Sequence, residues 1–150
     1  MPSQATRLGQ TIYLSGGYTT MQIQPDLQYS VLCDEVRRED NGKLILLGLF
    51  EQIAVAQFPA QHPSMCIINK WCNGAGSWTQ QTRLVDQDDH VVAQDQPITF
   101  ELSGSDAHFT AVQMFFGVML HAPGRIFIEV LLNGELRQRY ALHVLATPRG

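Results

Sequence analysis

Lysine is almost missing from this chain: Lys43 and Lys70 are the only two among 150 residues. Charged side chains of every kind make up 16%, and the formal net charge is −4. Soluble domains usually carry about a quarter charged residues. A surface so poor in clustered cations excludes general nucleic-acid binding, which works by displacing counterions from phosphates. It also gives no attraction to an anionic membrane surface. The longest apolar runs, "LILLGLF" and "MFFGVML", are seven residues each, far short of the roughly 18 that a spanning helix needs. There is no apolar segment of signal-peptide length near the N-terminus. Three cysteines, an odd number, do not make a disulfide framework. These absences together point to a reduced, cytoplasmic protein.

The vocabulary of catalysis is equally thin. No G-x-S-x-G, no G-x-G-x-x-G and no phosphate-cradling glycine loop occurs. Ser105, Asp106 and His108 sit within four residues on "SGSD-A-H", and near-neighbours on one turn rarely reach triad geometry. The five histidines (62, 90, 108, 121 and 143) are scattered, and Cys66 and Cys72 stand six apart, outside the spacing of zinc sites. Sharing one strand face, Cys66 and Cys72 are expected to be buried as small hydrophobes. No cofactor is implied.

What the chain does have is alternation and turns. Strands are expected at about 28–38, 43–50, 65–72, 78–86, 90–94, 97–102, 108–120, 125–132 and 135–145, punctuated by "DNG", "NGAGS", "DQDD", "DQP", "SGSD", "HAPG" and "LNG". Short strands at this spacing, with no helical segments between them, predict an all-β fold: a two-sheet antiparallel sandwich, immunoglobulin-like or related, over residues 28–150. Residues 1–27, with four glutamines and no acid before Asp26, read as a flexible extension or a weak hairpin turning at Gly16-Gly17. Met21 is an alternative natural start.

Two Asn-Gly turns fix registers. In "CDEVRREDNGKLILLGLF" a three-residue loop, Asp40-Asn41-Gly42, sets Glu39 opposite Lys43 and Val36 opposite Leu46. The charged run is then a solvated hairpin rim, and the apolar return strand is covered on both faces. In "RIFIEVLLNGELRQRYALHVL" a two-residue Asn133-Gly134 loop would mix the apolar and polar faces. A three-residue loop, with Gly134 left-handed in a bulge, instead pairs Val130 with Leu136 and Ile128 with Gln138.

The polar groups that remain are few. Asp34 shares the side of Val36, near the core, where a carboxylate needs hydrogen-bond partners. "DQDDH" offers Asp86, Asp88, Asp89 and His90, ligand types for a hard cation, although the spacing departs from the calcium-loop pattern and aspartate favours turns. Trp71 and Trp78 are read as core residues, with a sugar-stacking platform as the alternative. Segment 108–120, which also fits helical spacing, reads as a strand apolar on both sides. Phe109, Phe115 and Met119 take one face, and Val112, Met114, Phe116 and Val118 the other. Such a strand must be covered twice, by the core and by a second element. Phe109, Phe115 and Met119 are therefore the candidate interface for a second copy of the chain or another protein; the N-terminal segment is the other candidate cover.

The stretches "YSVLCDEVRREDNGKLILLGLF", "FPAQHPSMC", "RLVDQDD" and "APGRIFIEVLLNGEL" resemble a family of small bacterial proteins classed only as a domain of unknown function. The resemblance spans roughly residues 28 to 145. It implies a β-sandwich beginning near Met21 and brings no catalytic residues. The functional expectation is a non-enzymatic binding or assembly module, as a homodimer or with another protein as partner. The alternatives are a metal-dependent enzyme or calcium-binding protein using Asp86–His90 together with Asp34, and a carbohydrate-binding module.

Overall fold

Leu32, Met65, Phe115, Ile128 and Leu142 come from five different strands, and all lie in one buried cluster. The computed structural model describes the backbone of residues 4–7, 10–15 and 18–148, and the side chains of residues 22–148. The strands are β1 (Gln4–Arg7), β2 (Gln10–Ser15), β3 (Tyr18–Ile23), β4 (Asp26–Arg38), β5 (Leu44–Leu49), β6 (Gln52–Val55), β7 (Ala60–Val85), β8 (Val91–Gln94), β9 (Ile98–Leu120), β10 (Gly124–Leu132) and β11 (Glu135–Ala146). All eleven belong to one hydrogen-bonded sheet. The chain is all-β as expected, but the sheet is single and curled into a half-barrel, so the two-sheet, immunoglobulin-like sandwich is overturned.

The reason lies in two stretches that read as turns. "NGAGS" and "SGSD" do not end strands. They lie inside β7 and β9, which pair antiparallel from Ala60↔Leu120 to Gln80↔Ile98. The ladder steps from Cys72↔His108 to Gly74↔Gly104, two residues on β7 against four on β9. Asn73 (φ 57°) and Gly76 (φ 97°) take the left-handed backbone of this irregularity. Bulges bend a strand and increase its twist, so the turn-like composition curls one long hairpin instead of dividing it into four strands.

The curl can be measured from side chains on one strand. Asn69 Nδ2 donates to Gln80 Oε1 at 3.1 Å and to Thr82 Oγ1 at 2.8 Å, 11 and 13 residues further on. An extended strand would separate Asn69 from Gln80 by about 36 Å. One edge of β7 carries β4 along its first half and β10 along its second, while β9 follows the other edge. The bend therefore turns the β4–β5 arm toward the β10–β11–β6 arm. Trp71, Phe100 and Phe109 stack in the concavity, with ring centroids 6.0 and 4.6 Å apart.

At the first hairpin, Val36 faces Leu46, Glu39 N donates to Lys43 O at 2.8 Å, and Gly42 is left-handed at φ 88°. This is the expected three-residue loop, with Asn41 Oδ1 accepting from Lys43 N. The second hairpin differs. Leu132 pairs with Glu135 across a two-residue Asn133-Gly134 turn with both φ values positive, the geometry that matches strand twist. Sidedness is restored by a bulge: Leu131 faces Leu136, but Val130 faces Gln138, and Ile128 then faces Tyr140. Val130 is in the core while Leu136 lies outside, 51% exposed.

Two further expectations are corrected. Strand β5 is not covered on both faces, since Leu49 is 62% exposed. Asp34 is exposed too; it lies over Gly48 (φ 72°) so closely that a Cβ there would collide with its carboxylate. In the N-terminal segment β2 pairs with β3, and Ile23 meets β7 at Ala75. The expected Gly16-Gly17 turn lies outside the described residues.

Asp95, just past β8, clasps β7. Its Oδ1 accepts from Thr82 N at 3.0 Å, its own N–H donates to Thr82 O, and its Oδ2 is buried without a partner. Burial pushes this carboxyl up to about 6, from an ordinary value of 3.8. Between those values the folded chain holds a proton that the unfolded chain has released, so stability falls as pH rises through that interval. Asp95→Asn keeps the acceptor and removes the charge. It is expected to be more stable at pH 7 by about 1–2 kcal/mol and to flatten the fall, as read from melting temperatures between pH 4 and 7. An unchanged pH profile would exclude Asp95 as its source.

Candidate functional site

Strand β7 ends at Val85, and Asp86 to His90 turn the chain into β8. Asp86 Oδ1 accepts from the backbone N–H of Asp88 and of His90, both at 2.9 Å, and its own N–H donates to His90 O. These donors, His90's first, hold the Asp86 carboxyl below its ordinary range. His90 Nδ1 stands 3.5 Å from Asp86 Oδ2. Ligand atoms of Asp86, Asp88 and His90 lie within 4.8 Å of one another, so this loop could hold a metal ion. Asp89 is not part of that group: it is left-handed (φ 63°) and reaches toward Arg139, 3.7 Å away. Asp86 and Asp88 also line a cavity of about 200 Å³ shared with Met119, His121 and Arg125. Asp34, on β4, is not in this group either.

The structure separates the two faces of β9. Phe115 is buried in the concave core, and Phe109 packs on Phe100 there. Of the three candidate interface residues only Met119 is open to solvent, at 39%. The opposite, outer face carries Met114, 45% exposed, and Phe116, 72% exposed. Beside them Cys33, Cys66 and Ile68 are fully buried in a second, smaller cluster that Val31, Val36, Leu46 and Val112 adjoin. Leu49 continues the row from β5, opposite Cys33. Among the described residues β9 pairs with β7 alone, so its far edge has no strand beside it.

This outer surface is what the sequence reading missed. The signal was there, because 108–120 is apolar on both sides, but period two marks sidedness without saying which side meets water. Trp71 and Trp78 are both buried, so neither ring offers a platform to a sugar.

The class these features define is an all-β half-barrel with an apolar outer patch and one acidic loop able to hold a cation. The chain belongs to DUF6941, a family of unknown function whose profile matches residues 28–145. No curated protein matches it. The match covers nearly all of β4 through nearly all of β11, so the bent β7–β9 hairpin, the outer face of β9 and the Asp86–His90 loop all fall inside the family domain.

Proposed function

We propose that the domain is a non-enzymatic assembly module that binds protein through the outer face and free edge of β9, with a second copy of itself as partner. The observation that carries this reading is Phe116, 72% exposed on a strand that, among the described residues, has no neighbour on its far side. Exposed edges are normally guarded by charge or proline. From Ala107 to Gly124 the chain has no Asp, Glu, Lys or Arg, and its one proline, Pro123, lies beyond the strand. Antiparallel pairing of one strand with its own copy about a two-fold axis is self-complementary. Without charges along the segment, no like charges oppose each other across the axis. The N-terminal strands meet β7 on the side away from β9, which disfavours them as the missing cover.

The metal reading is weaker because both Asp86 Oδ1 contacts already cap the loop. Light scattering at micromolar concentration is expected to report two chains of 16.8 kDa each. Phe116→Asp is expected to report one, with the single chain still folded and melting cooperatively because the side chain is outside the core. A monomeric native protein, or a Phe116→Asp variant that still dimerises, would remove the proposal.

A further inference from the structure

We infer that Cys33, Cys66 and Met114 form a binding site for a soft monovalent cation, copper(I), on the outer face of the sheet. The three residues stand in one row across three strands: Cys33 on β4 faces Cys66 on β7, and Cys66 faces Met114 on β9. Directly opposed residues of antiparallel strands have Cα atoms about 4.5–5.5 Å apart, so two opposed cysteines can bracket one ion. The thiols of Cys33 and Cys66 interact with each other, and Cys66 Sγ lies 2.9 Å from Met114 Sδ. Both cysteines are fully buried, and Met114, 45% exposed in the single chain, touches Cys66 from the neighbouring strand.

The donor set decides the ion. Two thiolates and a thioether are soft ligands and select copper(I). Structural zinc sites are instead four-coordinate, built from cysteine and histidine, and no histidine shares this row. The neighbouring side chains are suited to a cation. Asp34 and Glu35, next along β4 from Cys33, place two carboxylates beside the row. The carbonyl oxygens of Glu35 and Asp34 stand 3.5 Å from Cys33 Sγ and 3.8 Å from Cys66 Sγ. Binding replaces two S–H bonds by two sulfur–metal bonds and releases two protons, with no change of oxidation state.

The inference does not rest on self-association, because Phe116 is not among the ligands. The test is anaerobic titration of the reduced, full-length protein with copper(I) buffered by bicinchoninate, following near-ultraviolet sulfur-to-metal absorption and proton release. One equivalent is expected to bind and two protons to leave. Cys72→Ser, whose thiol lies elsewhere on β7, should behave as native, and so should Phe116→Asp. Cys33→Ser and Cys66→Ser should lose the ion. Met114→Leu should bind about tenfold more weakly or worse, the scale at which even supporting residues of metal sites act. Since Met114 is at the surface, that variant tests the site even where a serine variant fails to fold. Native protein that yields all copper to bicinchoninate would overturn the inference. So would affinity unchanged in Met114→Leu, or lost equally in Cys72→Ser.

Discussion

Replacing Arg83 and Arg139 together by methionine is expected to destabilise the fold by about 3–5 kcal/mol, the range for stranding a buried charge. The charge is Glu129, on the outer side of β10, with its side chain only 6% exposed. In register it has Arg83 of β7 on one side and Arg139 of β11 on the other. Arg83 Nε donates to Glu129 Oε1 at 2.7 Å, and Arg139 Nη1 lies 3.3 Å from Oε2. Each carboxylate oxygen has its own guanidinium. The Arg139 guanidinium also lies 4.0 Å over the Phe127 ring, so methionine is the replacement that keeps apolar packing while removing charge.

With both partners gone the carboxylate has neither water nor counter-charge. The loss would be a large fraction of the 5–15 kcal/mol that holds a typical domain together. Each single replacement should cost much less, since one guanidinium remains, and the pair should therefore be strongly non-additive. Adding Glu129→Met should recover most of the loss, because replacing a whole buried ionic set with apolar groups is often neutral. Urea unfolding of the native protein, both single variants, the double and the triple closes the cycle. A double variant within 1 kcal/mol of native would show that Glu129 reaches water.

That triad also shows where sequence reading runs out. Glu129, Arg137 and Arg139 belong to the polar set of the last hairpin, and period two sends polar residues to solvent. Yet the outer face of β10 is flanked by strands on both sides, and Leu131 is buried there as well. Alternation gives the side of a sheet, not how deeply that side is covered. By the same limit, Phe109 and Phe115, two of the three candidate interface residues, lie on the covered face. Turn chemistry was legible where it was strictly local: "DNG" gave the loop, the register and the left-handed glycine of the first hairpin. It misled where "NGAGS" and "SGSD" face each other, because a left-handed Asn or Gly serves a bulge as well as a turn. Only the pairing partner distinguishes the two, and for Gly74 that partner is Gly104, thirty residues away. The sandwich expectation failed at that one point, by counting one bent hairpin as four strands.

Asn69→Leu is expected to cost about 2–4 kcal/mol, although leucine has the same branched outline and the same number of side-chain heavy atoms as asparagine. Asn69 Nδ2 is the hub of a fully buried polar cluster, within 3.1 Å of Gln80 Oε1, Thr82 Oγ1 and Gln113 Oε1. Trp71 Nε1 reaches Gln80 Oε1 at 3.4 Å, and Thr82 Oγ1 donates to Gln113 Oε1 at 2.6 Å. Leucine would leave those acceptors desolvated with fewer donors, and a buried polar group without its partner costs about 1–3 kcal/mol. The cluster joins the first half of β7 to its second half and to β9 across the concavity, at the place where the two long strands bend. Its hydrogen bonds are directional, so they fix how far the sheet curls in a way that apolar contact alone would not. Two measurements separate this role from ordinary packing. Thermal unfolding should show the loss, and amide exchange should show protection falling first around residues 72–78 and 103–108, on either side of the irregularity. Replacing Gln80 and Gln113 by leucine and Thr82 by valine alongside Asn69→Leu should recover most of the stability, because no buried acceptor of the cluster is then left over and only Trp71 Nε1 loses its partner, while those amides stay more open than in the native chain. Recovery of stability and of exchange protection together would show that the apolar wall alone sets the curl.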